Sequence, residues 1–166
     1  MWIFLFLLSI AASILAVRLL FSFGAPYVVS KDQKVKALLE LAGLVDGKRT
    51  IDLGSGDGRI VIAFARAGAE AHGYEINPLL VLRARQNIKK AGLEDRAIIH
   101  WKDFWQVSFS TFDVVTVYGI GFMMKRLEKK LKRELRQGSI VLSAHFTFSG
   151  WIPTRSLHDT HKYSKY

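Results

Sequence analysis

Hydrophobic positions along this chain fall into three successive patterns. Residues 1–23 form an almost unbroken apolar run in which Arg18 is the single charge. From about Ser30 to Leu44 apolar residues recur at helical spacing. Val35, Leu38, Leu39 and Leu41 with Ala42 give that segment one buried side, Gly43 stops it, and Gln33 stands where a capping box opened by Ser30 requires it. Beyond residue 48, short β-branched runs alternate with longer amphipathic ones. The alternation predicts strands over 50–53, 71–75, 97–101, 113–118 and 139–145, and helices over 58–67, 78–91 and 123–136. Asn77 is the expected cap of the 78–91 helix, with Pro78 at its first position and Gly92 at its end.

Such strand-helix alternation implies an α/β fold, a Rossmann-like, doubly wound and mostly parallel sheet. The final segment, roughly 156–166, is expected to add one edge strand, so the sheet should be truncated at its C-terminal side and fall short of seven strands. The organisation expected is an apolar anchor over 1–23, a linker with Pro26 and an N-terminal helix over 24–48, and one α/β domain over 49–166. No internal repeat is visible.

Composition changes this picture at the start of the chain. Hydrophobic residues make up 50% of it, above the usual soluble range, and much of the excess sits in the first run. That run is long enough to span about 30 Å of hydrocarbon as a helix. No Lys or Arg precedes Arg18, unlike the basic start of a cleaved signal peptide, so an uncleaved single-pass transmembrane helix is expected; a buried core helix is the alternative. Arg18, Lys31, Lys34 and Lys36 all follow the run, so the positive-inside rule predicts that the domain on its C-terminal side lies in the cytoplasm.

The net charge of +10 calls for an acidic partner, either nucleic acid or an anionic bilayer surface. Much of it lies in one amphipathic segment. Met123, Met124, Leu127, Leu131 and Leu135 line one side, while Lys125, Arg126, Lys129, Lys130, Lys132, Arg133 and Arg136 cover the rest. Two readings fit: a lipid-facing helix, or a solvated face laced with pairs such as Glu128 and Lys132. The chain has no cysteine, which excludes disulfides, thiolate metal sites and a cysteine nucleophile. Its five histidines show no metal-ligand spacing, and no metal is expected. His145, at the end of a predicted strand, is the one that merits a test.

The densest chemical signal is R-T-I-D-L-G-S-G-D-G-R at 49–59, a short strand carrying Asp52 into three alternating glycines. Gly54, Gly56 and Gly58 let the backbone turn sharply and approach a ligand, and the helix that follows aims its first amides at the same place. A dinucleotide fingerprint needs G-x-G-x-x-G, but Arg59 stands where its third glycine belongs. An ordinary strand-to-helix turn is the plain alternative. The spacing G-x-G-x-G after a strand-end acid resembles motif I of the class I S-adenosylmethionine-dependent methyltransferases. That resemblance implies that Asp52 lies near the methionyl amino group and that Gly54, Ser55, Gly56 and Gly58 face the cofactor. A second acid, Glu75, ends the next predicted strand, where a carboxylate can accept both ribose hydroxyls. Asp103 and Phe104 occupy the place where the family holds adenine, although a solvated loop acid is the other reading of Asp103.

Tyr118, in V-Y-G-I-G at 117–121, leaves a central strand where an acceptor should enter; it either orients an amine or merely packs. The D/N-P-P-Y/F tetrapeptide is lacking here, which counts against nucleic-acid bases and glutamine as acceptors. A narrower likeness covers nearly the whole chain. The apolar start, A-P-Y-V-V-S at 25–30, I-D-L-G-S-G-D-G-R, Y-E-I-N-P at 74–78, V-Y-G-I-G-F-M-M and F-T-F-S-G-W at 146–151 resemble the membrane-anchored protein-lysine methyltransferases, whose mitochondrial members act on the ATP synthase c subunit and the adenine nucleotide translocase. By that resemblance Tyr27 and Ser30 close over the methionine end of the cofactor, while Tyr118 and Trp151 line the lysine channel. Where that family tends to have proline, this chain has Val29, Gly121 or Phe122, and Thr147 or Ser149. The expected function is methylation of a protein lysine, membrane proteins included. A small-molecule or lipid methyltransferase and a non-catalytic cofactor-binding module are the alternatives.

Overall fold

The computed structural model describes Trp2, residues 4–10, Ser13, and residues 32–119 and 121–166. Four helices of the folded region are α1 (Asp32–Ala42), α2 (Arg59–Arg66), α3 (Pro78–Ala91) and α4 (Gly121–Glu134). They alternate with strands β1 (Arg49–Leu53), β2 (Glu70–Glu75), β3 (Ala97–Trp101), β4 (Val114–Val117) and β5 (Ile140–Ala144), all mutually parallel. Where local capping signals are strong the predicted bounds hold: Asn77 accepts from the Leu79 N–H, Pro78 opens α3, and Gly92 closes it with a left-handed backbone.

The C-terminal segment departs from expectation. In place of one edge strand it supplies two, β6 (Arg155–Leu157) and β7 (Thr160–Ser164), and β7 pairs antiparallel with both β5 and β6. The sheet therefore has seven strands in the order β3-β2-β1-β4-β5-β7-β6 and is not truncated. The β6–β7 turn consists of His158 and Asp159, with φ of 45° and 59°. Two left-handed central residues match the right-handed twist of a hairpin, but neither glycine nor asparagine advertises this one.

Each strand sends alternate side chains to opposite faces, and the core divides accordingly. On one face, Leu38 and Leu41 of α1, Phe64 of α2, and Ala84 and Ile88 of α3 pack on Ala71, Ile99, Val114 and Leu142. On the other, Met124, Leu127 and Leu131 of α4 pack on Ile51, Val115, Val141 and Tyr163.

The cations of α4 are mostly committed within the fold. Lys132 pairs with Glu128, Lys130 and Arg133 pair with Glu134, and Arg126 lies over the Trp105 ring, while Arg136, just past the helix, pairs with Asp113. The self-paired reading of the helix thus describes most of its charge, leaving Lys125 and Lys129 exposed and outside the described ion pairs. Residues 4–10 are helical, and Trp2, Phe4, Leu5, Phe6, Leu7, Leu8 and Ile10 are exposed. Among the described residues no helix is long and apolar enough to cross a membrane.

Candidate functional site

The carboxyl ends of β1, β2, β4 and β5 share one edge of the sheet, and the strand order reverses between β1 and β4. This is where open α/β sheets hold ligands. The β1–α2 turn is shaped by its glycines: Gly54, Gly56 and Gly58 have φ of 77°, 53° and 80°, a region costly to any other residue. Gly54 and Ser55 N–H both donate to the Tyr74 carbonyl, tying the turn to β2. Around the ideal Cβ position of Gly54 there is open space, whereas a Cβ on Gly58 would come within 3.1 Å of the Ala84 Cβ. Gly58→Ala is therefore expected to destabilise the protein by the left-handed penalty of about 1–2 kcal/mol plus a crowding cost, and Gly54→Ala by the penalty alone. Denaturant midpoints of the two variants check the difference.

Asp52 lies opposite Thr116 in the β1–β4 register, and the Thr116 hydroxyl donates to its Oδ1 at 2.7 Å. The carboxyl is nearly sealed from solvent at 4% exposure. Burial pushes its pKa up to about 7, opposed by the Thr116 hydrogen bond and assisted by the negative charges of Glu75 and Asp57. Nearby, the Ser55 hydroxyl is buried with no hydrogen-bond partner. A desolvated acid at the strand end suits a cationic group, and the buried Ser55 hydroxyl, packed against Gly73 and Ile99, adds an unsatisfied polar atom to the same turn.

Glu75 is held by three backbone donors. Its Oε2 accepts from Gly56 N–H, and its Oε1 accepts from Ile76 and Asn77 N–H, each at 2.9 Å. A carboxylate has about four acceptor positions, so three are already used and room is left for one further strong hydrogen bond, not the two inferred from sequence. Gly73 leaves the space that this packing needs, because a Cβ there would meet Ser55 Oγ and Ile99 Cδ1 at 2.6 Å. The β3 end joins the same edge: Lys102 N–H donates to the Glu75 carbonyl and Trp101 Nε1–H to the Ile76 carbonyl.

Beyond Lys102, Asp103 Oδ1 accepts from Trp105 N–H at 2.9 Å and caps a short 3-10 turn, Phe104–Gln106. Asp103 thus has a structural task with one oxygen, and no hydrogen bond is described for the other. Phe104 packs against Trp105 with ring centroids 4.9 Å apart. Asp52, Ser55, Gly54–Gly58 and Glu75 are brought together, with Asp103 and Phe104 on the adjoining loop. Tyr27 and Ser30 lie outside the described residues.

Tyr118 and Trp151 have different described neighbours. Tyr118 follows β4, its ring parallel to that of His145 at 6.5 Å, with Lys34 Nζ 5.1 Å from its centroid. Trp151 packs on Phe148 at 5.9 Å and on Tyr163 at 5.5 Å, with Lys132 Nζ over its ring, at the edge of the core beneath α4. No ring contact between Tyr118 and Trp151 is described. Thr116, Lys34 and Asp159 had no sequence signal of their own as site residues. Thr116 becomes visible only through the parallel register that sets it beside Asp52, and the other two only through the C-terminal hairpin. Among the described residues no group of three or more His, Cys, Asp or Glu side chains could hold a metal ion.

Residues 52–155 match the ANTKMT methyltransferase domain. The chain is 41% identical over 128 residues to a Xenopus laevis lysine N-methyltransferase of the ATP synthase c subunit, covering 77% of this chain and 56% of the relative. It is 37% identical over 130 residues to a protein-lysine N-methyltransferase of Saccharolobus islandicus (strain REY15A), covering 77% and 81%. The chain spans about half the length of the vertebrate relatives it matches. Among solved structures, an RNA methyltransferase from Salinibacter ruber in complex with S-adenosyl-L-homocysteine superposes with a TM-score of 0.77 at 37% identity, covering 83% of this chain and 92% of the other.

Proposed function

The chain belongs to the family of the ANTKMT methyltransferase domain, and from that premise we propose that it is an S-adenosylmethionine-dependent methyltransferase whose acceptor is a protein lysine. The observation that carries the cofactor half is the buried Asp52 carboxyl, its pKa raised to about 7, at the end of the strand that leads into a glycine turn open to a ligand. An ammonium beside Asp52 would charge the acid by direct pairing and offset its desolvation. The Ser55 hydroxyl would gain a partner, and the free acceptor position of Glu75 would take a ribose hydroxyl. Asp103, through its unused oxygen, and Phe104 would flank adenine. The cofactor supplies an activated methyl group on a sulfonium.

The chain's own residues have little acid-base work to do in such a transfer. Their task is to hold a neutral amine in line with the methyl carbon and to exclude water, so that proximity provides most of the rate. Tyr118, beside the β1–β4 switch, is the acceptor-side residue that the geometry favours. Trp151, half-buried against Phe148 and Tyr163, is the second acceptor-side candidate of this reading.

Lysine as acceptor rests on the names of the relatives, and the Salinibacter structure supplies the rival, RNA. Incubating the protein with radiolabelled S-adenosylmethionine, membrane proteins and RNA separates the two. Label recovered as methylated lysine is the expected result, and label confined to RNA or lipid overturns it.

The apolar start is best read as a single-pass membrane anchor with the catalytic domain on the cytoplasmic face. Support comes from the length of the run, the exposure of Trp2 and Phe4 to Leu8, and the cations that follow. Lys125 and Lys129 are the α4 cations available to an anionic surface. Alkaline extraction of membranes carrying the full chain should leave it in the pellet, and its release into the supernatant would refute the anchor.

A further inference from the structure

Lys34, in the first turn of α1, is engaged by two groups at the acceptor edge of the sheet. Its Nζ lies 5.1 Å from the Tyr118 ring centroid and 3.5 Å from Asp159 Oδ2, with only 20% of the side chain exposed. An aromatic face and a carboxylate converging on one ammonium are the two devices by which proteins recognise alkylammonium groups.

The carboxylate is itself fixed from several sides. His145 Nδ1 lies 2.6 Å from Asp159 Oδ2, His145 N–H donates to the Asp159 carbonyl, and His161 Nε2 lies 4.0 Å from Oδ1. The His145 hydrogen bond, with Lys34 alongside, holds the Asp159 carboxyl below its usual range. The His145 ring is in turn nearly coplanar in orientation with Tyr118, at 7°. Backbone strain is concentrated here. Among the described residues the non-glycine positions with left-handed φ are His145, His158 and Asp159. The two turn residues are explained by their hairpin, and His145, at φ 74°, is the centre of a three-residue turn in which Phe146 N–H donates to the Ala144 carbonyl, a turn that aims its ring at Asp159.

Resting on the reading of the chain as a protein-lysine methyltransferase, we propose that Tyr118, His145 and Asp159 form the subsite that captures the acceptor as its ammonium, before loss of a proton to solvent leaves the neutral amine that reacts, and that Lys34 fills it as an internal competitor until a substrate lysine displaces it. Asp159 sets the affinity for the cation, His145 positions Asp159 and supports the Tyr118 ring, and Tyr118 provides the face on which the cation rests.

Lys34→Met keeps the aliphatic stem over Tyr118 and removes the charge. With the full chain in detergent, this variant is expected to lower KM for a lysine peptide roughly two- to five-fold, the size of an exposed cation-π contact and ion pair together. Asp159→Asn, which keeps the turn, is expected to raise KM by a similar factor. Titration with n-butylammonium, followed by the NMR ring signals of Tyr118 and His145, needs no turnover. Lys34→Met should bind it more tightly than the unaltered protein and Asp159→Asn more weakly. Equal affinity in all three proteins overturns the subsite. If the ordered titration is seen while the unaltered protein methylates no lysine, the subsite stands and the lysine reading is what has failed.

Discussion

Glu75→Ala is expected to abolish measurable S-adenosylmethionine binding and to destabilise the protein by about 3 kcal/mol or more. The three N–H groups of Gly56, Ile76 and Asn77 converge on this one carboxylate at 2.9 Å, and Glu75 is only 7% exposed. Each buried donor that loses its acceptor costs about 1–3 kcal/mol, and water entering the space would recover part of that. The effect on binding is the larger one, because Glu75 stitches the glycine turn to the end of β2. Without it the turn loses the contact that fixes Gly56, and the ligand-facing backbone is no longer held in its left-handed shape. Glu75→Gln separates the two roles. An amide keeps one acceptor oxygen but turns an NH2 group towards donors, so the fold should lose less than in the alanine variant while cofactor affinity still drops at least ten-fold. Calorimetric titration and urea unfolding on the same samples provide both numbers. Cofactor affinity in Glu75→Ala within ten-fold of the unaltered protein would show that Glu75 only braces the turn.

Several features of this site are legible in sequence because they are local. The glycine spacing predicts the turn, and all three glycines prove to need positive φ. Asn77, Pro78 and Gly92 bracket α3 correctly because capping acts over three or four residues. Strand β3 agrees with its predicted bounds for a similar reason, lying between clear stop signals. What the sequence hides is non-local or chemically disguised. Asp52 and Thr116 are 64 positions apart, and only the parallel register joins them. The β6–β7 hairpin turns on histidine and aspartate, which tolerate left-handed φ without the glycine that would betray it. That omission made the sheet look short, and it concealed Asp159. Helix α4 begins two residues ahead of its apolar periodicity, at Gly121, because periodicity marks where a helix is buried and not where it starts. Trp151 fits an acceptor motif in sequence, and the structure adds only that it is half-buried against Phe148 and Tyr163, contacts that spacing along the chain does not reveal.

The second large effect is one of pH. Burial raises the Asp52 pKa to about 7, so between pH 4 and 7 the folded protein retains a proton that the unfolded chain gives up. The contribution of Asp52 to stability is therefore fully present below its unfolded pKa and is lost as pH rises through about 7, on the order of a few kcal/mol in all. Cofactor affinity should run the opposite way, because an ammonium pairs with the carboxylate and not with the acid. Below pH 7, Asp52 must release its proton on binding, which weakens affinity by up to about ten-fold per pH unit. The expected profile for S-adenosylmethionine is a dissociation constant that falls from pH 5 to 7 and then levels. Titrations in two buffers of different ionisation enthalpy at pH 6 should report up to one proton released per cofactor bound. Asp52→Asn removes the titrating group while retaining an oxygen for Thr116, so it should flatten both the stability slope and the binding slope and stabilise the unliganded protein above pH 7. The asparagine variant leaves every histidine in place, so what it removes belongs to Asp52 alone. If the variant keeps the full pH dependence of binding, the proton belongs to another group and the ammonium is not bound at Asp52.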